Sequence, residues 1–441
     1  MRLVSLLACA CVGAGVFSAE GFEAGSARVA AAARPVISLS ASGGFVVGGK
    51  PRFLIALSTP PELSTRTPVG LSGPLEVVRT GVNLLRVGPA WTGWTHRELG
   101  HVLAWERTAA LLGVHTWVRL NTFAATQPRW RGDAHLSAIV HALTNSRFAA
   151  GIGLWQGADE PGSRGIPARS LAFVYCRLTS RGDPRACAGE PPLDRLHLLV
   201  TILAPQGNRA SLAPYSHVTD GLGVDVYPVT VKNPGSPDLH QVGVWTRAVA
   251  AITPDHSVWT TLQICSKNAV DKRTRAYLLP SGYQERYMVY DAIINGARGV
   301  SFFGGNNPHC WNRSDRRYGW NWTFWNRVLD RLIEQIGSRS ALGSALDNAA
   351  SSKILRTDDP GVEAISRTTS TLSGKHLWLI AARSRAGVER VSISGLPASV
   401  KSATVYGERR TVHLSQGTLK DTFRLWQVHV YKLQLRASHR G

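Results

Sequence analysis

The stretch GLWQGADEPG, residues 153–162, runs an apolar, glycine-spaced segment straight into Asp159, Glu160 and Pro161. Two adjacent carboxylates repel each other, so one tends to keep its proton, which is a cost unless a general acid is wanted. The structural alternative makes Glu160 a capping acid for the helix that follows, and Asp159 a partner for loop amides or for Arg86. A third carboxyl, Asp225, lies in GLGVDVYPV (221–229), two residues from Tyr227, and on an extended chain these two side chains face the same way. Asp225 is either a structural acid or the second acid of a pair. His309 has neither a metal-ligand spacing nor an acid beside it, and reads as a loop or subsite residue.

Other chemistries find no support. No CxxC or His/Cys cluster has zinc spacing, so neither a metal nor a cofactor is expected. No GxSxG or catalytic-cysteine motif is present, which excludes esterase and thiol-protease readings. No GxGxxG follows an early strand and there is no P-loop, which argues against a doubly wound open sheet.

The elements that must position the acids alternate along the chain. Apolar runs read as strands at 53–57, 83–89, 114–120, 148–157, 196–205, 221–229, 257–264 and 299–305. All but the fifth are followed by a helical pattern. The runs are continuous rather than alternating, as parallel strands covered on both faces require, and eight of them predict a (β/α)8 TIM barrel, preceded by a hairpin around Gly48-Gly49. From about Ser338 short strands without helices take over, which predicts a small C-terminal β-sandwich. The expected organisation is a signal peptide and Ala-rich segment at 1–33, the barrel with its N-terminal hairpin at 34–337 and the sandwich at 338–441.

In such a barrel the site forms at the C-terminal ends of the strands. That rule collects Arg86, Asn121, Asp159, Glu160, Asp225, Tyr227, Gln263, Asn306, Asn307 and His309 on one rim. Trp91, Trp94, Trp130, Trp311, Trp320 and Trp322 follow the same strands, and flat aromatic faces suit sugar rings. Packing accounts for about half of them, since Trp is largely buried in large domains. Trp105, Trp245 and Trp325 fall within helices and are expected in the core.

The chain opens Met1-Arg2, then LVSLLACACVGAGVF, then small residues through Ala33, the pattern of a secretory signal, and it is too short to span a membrane. No later segment is apolar for the roughly 18 residues of a membrane helix. A secreted or periplasmic location follows. Cys9 and Cys11 fall in the signal, leaving Cys176, Cys187, Cys265 and Cys310 for two disulfides. Proximity favours 176 with 187. Cys265 and Cys310 follow neighbouring strands seven and eight, so they meet on the rim. The net charge is +21, and only nine of the 50 basic residues are Lys. No basic block carries interleaved aromatics, so nucleic acid is not an expected partner, whereas attraction to an acidic glycan is.

The opening GGFVVGGKPRFL, Arg86, the DEP at 159–161, the VDVYP at 224–228 and the C-terminal sandwich together resemble retaining glycoside hydrolases of the clan A type. The resemblance implies a carbohydrate substrate, an oligo- or polysaccharide cleaved at an O-glycosidic bond, with Glu160 as acid/base. In that clan strand four ends in Asn-Glu and strand seven carries a nucleophilic Glu. Here Asp159 replaces the Asn and Gln263 stands at the nucleophile's place, and Gln cannot form a glycosyl ester. The Asp-Glu pair also resembles hexosaminidase-type barrels, in which Glu protonates the leaving oxygen and Asp steadies the substrate's own 2-acetamido group. That resemblance makes Asp159 the orienting carboxylate and Tyr227 and Gln263 hydrogen-bond donors. Uncharacterised glycosidase-like barrels share the pattern too. A catalytically inactive glycan-binding barrel is the alternative.

Overall fold

Eight parallel strands close on themselves in chain order: β1 (Leu54–Leu57), β2 (Leu84–Val87), β3 (His115–Arg119), β4 (Ile152–Asp159), β5 (Leu198–Leu203), β6 (Gly221–Asp225), β7 (Ser257–Gln263) and β8 (Gly299–Phe303), with β8 pairing to β1. The computed structural model describes residues 36–435 except 91, 126–132, 206–208, 254–256, 272, 275, 352–353 and 372–373. The expected signal segment with Cys9 and Cys11, together with Trp91 and Trp130, lies outside the described residues.

The barrel interior is filled from strand residues of one parity. Leu54, Ala56, Leu84, Trp117, Leu154, Val200, Ile202 and Trp259 form one buried cluster with Ile37 and Phe45. Those last two belong to an N-terminal antiparallel sheet (Ile37–Leu39, Phe45–Val47, Lys50–Pro51), the expected hairpin with one strand more. The Trp259 indole decides the composition of β6. A Cβ on Gly223 would stand 2.0 Å from its Nε1 and 2.3 Å from Ile202 Cδ1, so only glycine fits there.

The opposite parity faces the helices α1 (Gly73–Thr80), α2 (His96–Leu112), α3 (Asp133–Thr144), α4 (Ala168–Leu178), α5 (Gln241–Ile252) and α6 (Gly282–Ile294). Local chemistry sets their ends. Thr95 Oγ1 accepts from Glu98 N at 3.2 Å to start α2, and Gly113 at φ 69° stops it. Ser281 and Gln284 form a reciprocal capping box on α6. After β5, among the described residues, a 3-10 segment, Arg209–Tyr215, stands in the helix position. After β8 come Trp322–Phe324, a π-helical turn Trp325–Leu329 and α7 (Asp330–Ile336).

A helix at Ala341–Leu346 separates the barrel from eight further strands: β9 (Arg356–Thr357), β10 (Val362–Thr371), β11 (Gly374–Arg383), β12 (Val388–Ser394), β13 (Ser402–Val405), β14 (Arg410–Ser415), β15 (Thr418–Arg424) and β16 (Val428–Gln434). They pair antiparallel in the order β9-β12-β15-β14-β13-β16-β11-β10 around a core that includes Leu377, Leu379, Ile393, Phe423 and Leu433. Period-two alternation gives this sandwich a second apolar face. Trp378, Ile380 and Ala382 of β11, with Val428 and Val430 of β16, join the barrel's own core cluster. Polar contacts from α6 fix the docking: Arg286 Nη1 donates to Val428 O at 2.8 Å and Tyr283 OH to Leu425 O at 2.7 Å. Both expected disulfides are present, Cys176–Cys187 and Cys265–Cys310, with Cα separations of 5.8 and 6.3 Å. Among the described residues no helix is long and apolar enough to cross a membrane.

Candidate active site

At the C-terminal end of the barrel the inward parity changes from apolar to polar. Arg86 shares the parity of Leu84 and is 4% exposed. Its Nε donates to Ser58 O at 2.9 Å, its Nη1 meets Asp159 Oδ1 at 3.3 Å, and the guanidinium lies 5.2 Å from the Trp117 ring and 5.9 Å from that of Phe303. Gln156 Nε2 donates to the same Asp159 oxygen at 3.0 Å. Asp159 is thus held by two side chains at Oδ1, while Oδ2 accepts from no described residue.

The backbone at the end of β4 is irregular. Its pairing with β5 slips by one residue between Gln156 and Ala158, and bulges of this kind re-aim side chains at strand ends. Glu160 then takes φ 51°, in the left-handed region, with its N–H donating to Ile202 O at 2.7 Å. For a residue with a Cβ that conformation costs about 1–2 kcal/mol, a strain usually retained for a purpose. The cap reading fails on geometry. The Glu160 carboxyl bonds to no described residue, the short 3-10 turn Gly162–Arg164 starts from Pro161, and α4 starts from Pro167. Burial, followed by repulsion from Asp159, raises the Glu160 carboxyl above the ordinary range, against Arg164, Lys267 and Arg86.

Asp225 ends β6 on the same ring, paired in register with Thr261. It is 8% exposed, and burial together with repulsion from Asp159 pushes it up to about 8, so it carries its proton at neutral pH. Tyr227 stacks on Phe303, with ring centroids 5.6 Å apart, and burial beside Asp225 raises its hydroxyl well above the ordinary range. Asp225 interacts with the Thr261 and Tyr227 side chains around it, whereas Asn121 Oδ1 is buried without a hydrogen-bond partner. Arg86, Asp159, Glu160, Asp225 and Tyr227 are therefore one electrostatic unit.

A cavity of about 630 Å³ opens beside this unit, lined by residues after β1, β2, β3 and β8 that include Glu62, Arg86, Arg97, Arg119, Phe303 and Asn306. Asn306 is exposed there, as expected of a subsite residue, and His309 is exposed on the following turn. Trp311 is half-buried with its Nε1 donating to Gly305 O at 3.0 Å. Asn121 is buried, its Nδ2 donating to Ala90 O at 3.3 Å. The expectation of a sugar platform at Trp94 is corrected: it is 6% exposed and packs in the barrel core. Trp320 and Trp322 are buried as well.

Gln263 also departs from expectation. It is fully buried, its Oε1 accepting from Val229 N at 2.9 Å and its Nε2 donating to Val229 O at 2.8 Å. Each end of the amide bonds to one backbone unit, so the side chain locks the loop after β6 to β7, and its full burial keeps it from solvent. Gln263→Glu is expected to destabilise by about 1–3 kcal/mol, since it sets an acceptor against the Val229 carbonyl. A melting curve with no loss of stability, or a gain of turnover, would show that Val229 does not fix the amide.

Sequence reasoning passed over Arg119, Phe303, Lys267 and Thr261. Arg119 shares the inward parity of Trp117 and was legible from strand period alone, had the strand been ended at 119 rather than 120. The disulfide Cys265–Cys310 ties the loops after β7 and β8 together, and Asn307 Nδ2 approaches Cys265 Sγ at 3.1 Å. Among the described residues one group could in principle ligate a metal, His240, Asp291 and Glu363, between α5, α6 and β10. Its donors are already engaged, Asp291 by Gly243 N and Glu363 by Asn295 and Arg247.

No family model matches the chain, and no curated protein matches it in sequence. Solved structures do share the fold. A glycoside hydrolase is 12% identical with a TM-score of 0.59 over 91% of this chain and 97% of its own. A glycoside hydrolase family 5 protein from Bacteroides vulgatus is 10% identical with a TM-score of 0.58 over 91% and 94%. An Anoxybacillus alpha-amylase is 10% identical with a TM-score of 0.51 over 87% and 98%.

Proposed function

We propose that this chain is an exported glycoside hydrolase that cleaves an O-glycosidic bond in an oligo- or polysaccharide, with Glu160 as general acid/base. The carrying observation is the Glu160 carboxyl itself. It sits strained at the end of β4, bonded to no described residue, with burial and then the neighbouring Asp159 raising its carboxyl above the ordinary range. Glu106 and Glu285 are unbonded too, but they lie within helices; what sets Glu160 apart is its left-handed backbone at the C-terminal end of a barrel strand.

Glu160 donates its proton to the leaving oxygen and takes one back from water in the second half of the reaction. With Gln263 locked on Val229, β7 supplies no nucleophile. The anionic member of the site is Asp159, fixed on Arg86 and Gln156 with Oδ2 free, a geometry suited to steadying a substrate group such as a 2-acetamide as it attacks. Asp225, across the ring and protonated, is the second acid available. The glycosidase fold of the similar structures and the two disulfides support this reading together with export.

A screen of aryl glycosides and polysaccharides that includes N-acetylhexosaminides is expected to reveal hydrolysis. Binding without turnover across the panel would leave the inactive glycan-binding barrel as the account.

A further inference from the structure

We propose that Arg119 forms the anion-binding subsite of the cleft and takes the carboxylate of a uronic-acid residue in the bound glycan. The inference rests on the glycan reading above and adds the substrate's charge and the group that reads it.

Arg119 ends β3 and lines the 630 Å³ cavity. Its guanidinium donates no hydrogen bond to any described residue, and its Nε is buried without a partner. Arg86, one strand away, makes the contrast. The same group there is spent on Ser58 O and Asp159 and lies over two aromatic rings. A guanidinium carries five donors in a planar fork that matches a carboxylate, so one left unbonded in a cleft is a site wanting an acceptor. The protein's own acids do not fill it. Asp159 is bonded to Arg86 and Glu62 to His101 at 3.1 Å, and these two acids with Glu98 act on Arg119 only through space, without a bond. Arg97 lines the same cavity and adds a further positive charge.

Burial and the adjacent Arg86 pull the Arg119 guanidinium down to about 9, so its charge is held at a cost that a bound anion removes. Placement suits a neighbouring sugar. Arg119 is in register with Gln156, whose Nε2 holds Asp159, so the charge read at Arg119 lies next to the acid pair and not on it. The protein's charge of +21 favours approach of anionic glycans to the molecule as a whole.

The test uses matched ligands: uronate oligosaccharides from pectin, hyaluronan, heparosan and alginate, each beside its carboxyl-reduced neutral form. Binding is measured by calorimetry to wild type, Arg119→Gln and Arg119→Lys. At least one acid form is expected to bind tenfold or more tightly than its neutral form, the preference vanishing in Arg119→Gln and shrinking in Arg119→Lys. The melting temperature should hold or rise, because the substitution removes an unbonded buried charge. Should Arg119→Gln fail to fold, Arg119→Lys carries the comparison, and an undiminished preference in it overturns the proposal. Neutral forms binding as well as acids, or a preference that survives Arg119→Gln, overturns it also. If neutral glycans bind and turn over without regard to charge, the hydrolase stands and the subsite falls. If no uronate glycan or neutral form binds, the subsite falls and the hydrolase is decided by the aryl glycoside and N-acetylhexosaminide screen.

Discussion

Glu160→Gln is expected to lower kcat by about 10² to 10⁴ on any substrate with a poor leaving group, because that is the worth of a positioned general acid. The substitution keeps the shape and the left-handed backbone and removes only the transferable proton. Substrate affinity should therefore change little, and so should the melting temperature, since the carboxyl bonds to no described residue. Substrates whose leaving group needs no proton give a sharper readout. An activated nitrophenyl glycoside should recover much of the first-step rate in Glu160→Gln, and a natural disaccharide should not. An equal loss on both would point to a binding defect, and no loss on either would end the proposal for Glu160.

The barrel was legible because doubly covered parallel strands leave a strong mark, eight continuous apolar runs at regular intervals. The sandwich was legible for the converse reason, since its strands alternate and lack helices. The disulfide Cys265–Cys310 could be placed because topology alone brings neighbouring strand ends to one rim. The site was legible in type and less so in geometry. Asp159 and Glu160 announce themselves by adjacency, but the register slip before them falls at Gly157, where a Cβ would stand 2.7 Å from Leu199 Cδ2, and a lone glycine marks a bulge without giving its direction. Gln263 looks like a lost nucleophile until the loop after β6 returns Val229 to it. Trp94 looks like a platform until its loop folds against the core. Each of these differences arises where a loop path, rather than a strand period, decides which atoms meet.

Asp159→Asn is the second large effect expected, and its sign follows from the carboxyl cluster. In wild type the Glu160 and Asp225 carboxyls are both raised by burial and then by the charge of Asp159, against the pull of Arg86. A raised carboxyl is protonated below its pKa and loses its proton above it, so catalysis that uses the proton persists to neutral pH and fails as pH rises through the cluster's range, near 8 for Asp225. The limb belongs to the coupled set rather than to one residue. Neutralising Asp159 removes the repulsion and frees Arg86, and both changes favour the ionised forms of Glu160 and Asp225. The basic limb of kcat/KM should then move to lower pH, and the rate at pH 7 to 8 should drop by about tenfold or more as the acid is lost. Asp225→Asn separates the routes. If Asp159→Asn is as damaging as Glu160→Gln on acetamido sugars and Asp225→Asn is mild, the attack comes from the substrate's own amide, steadied by Asp159 Oδ2. If Asp225→Asn is the severe one, the two acids work across the barrel, and the charge of Asp159 serves only to keep their protons in place. A basic limb that stays put in Asp159→Asn would show that burial, and not the charge of Asp159, sets the limb, and would overturn the electrostatic role given to Asp159.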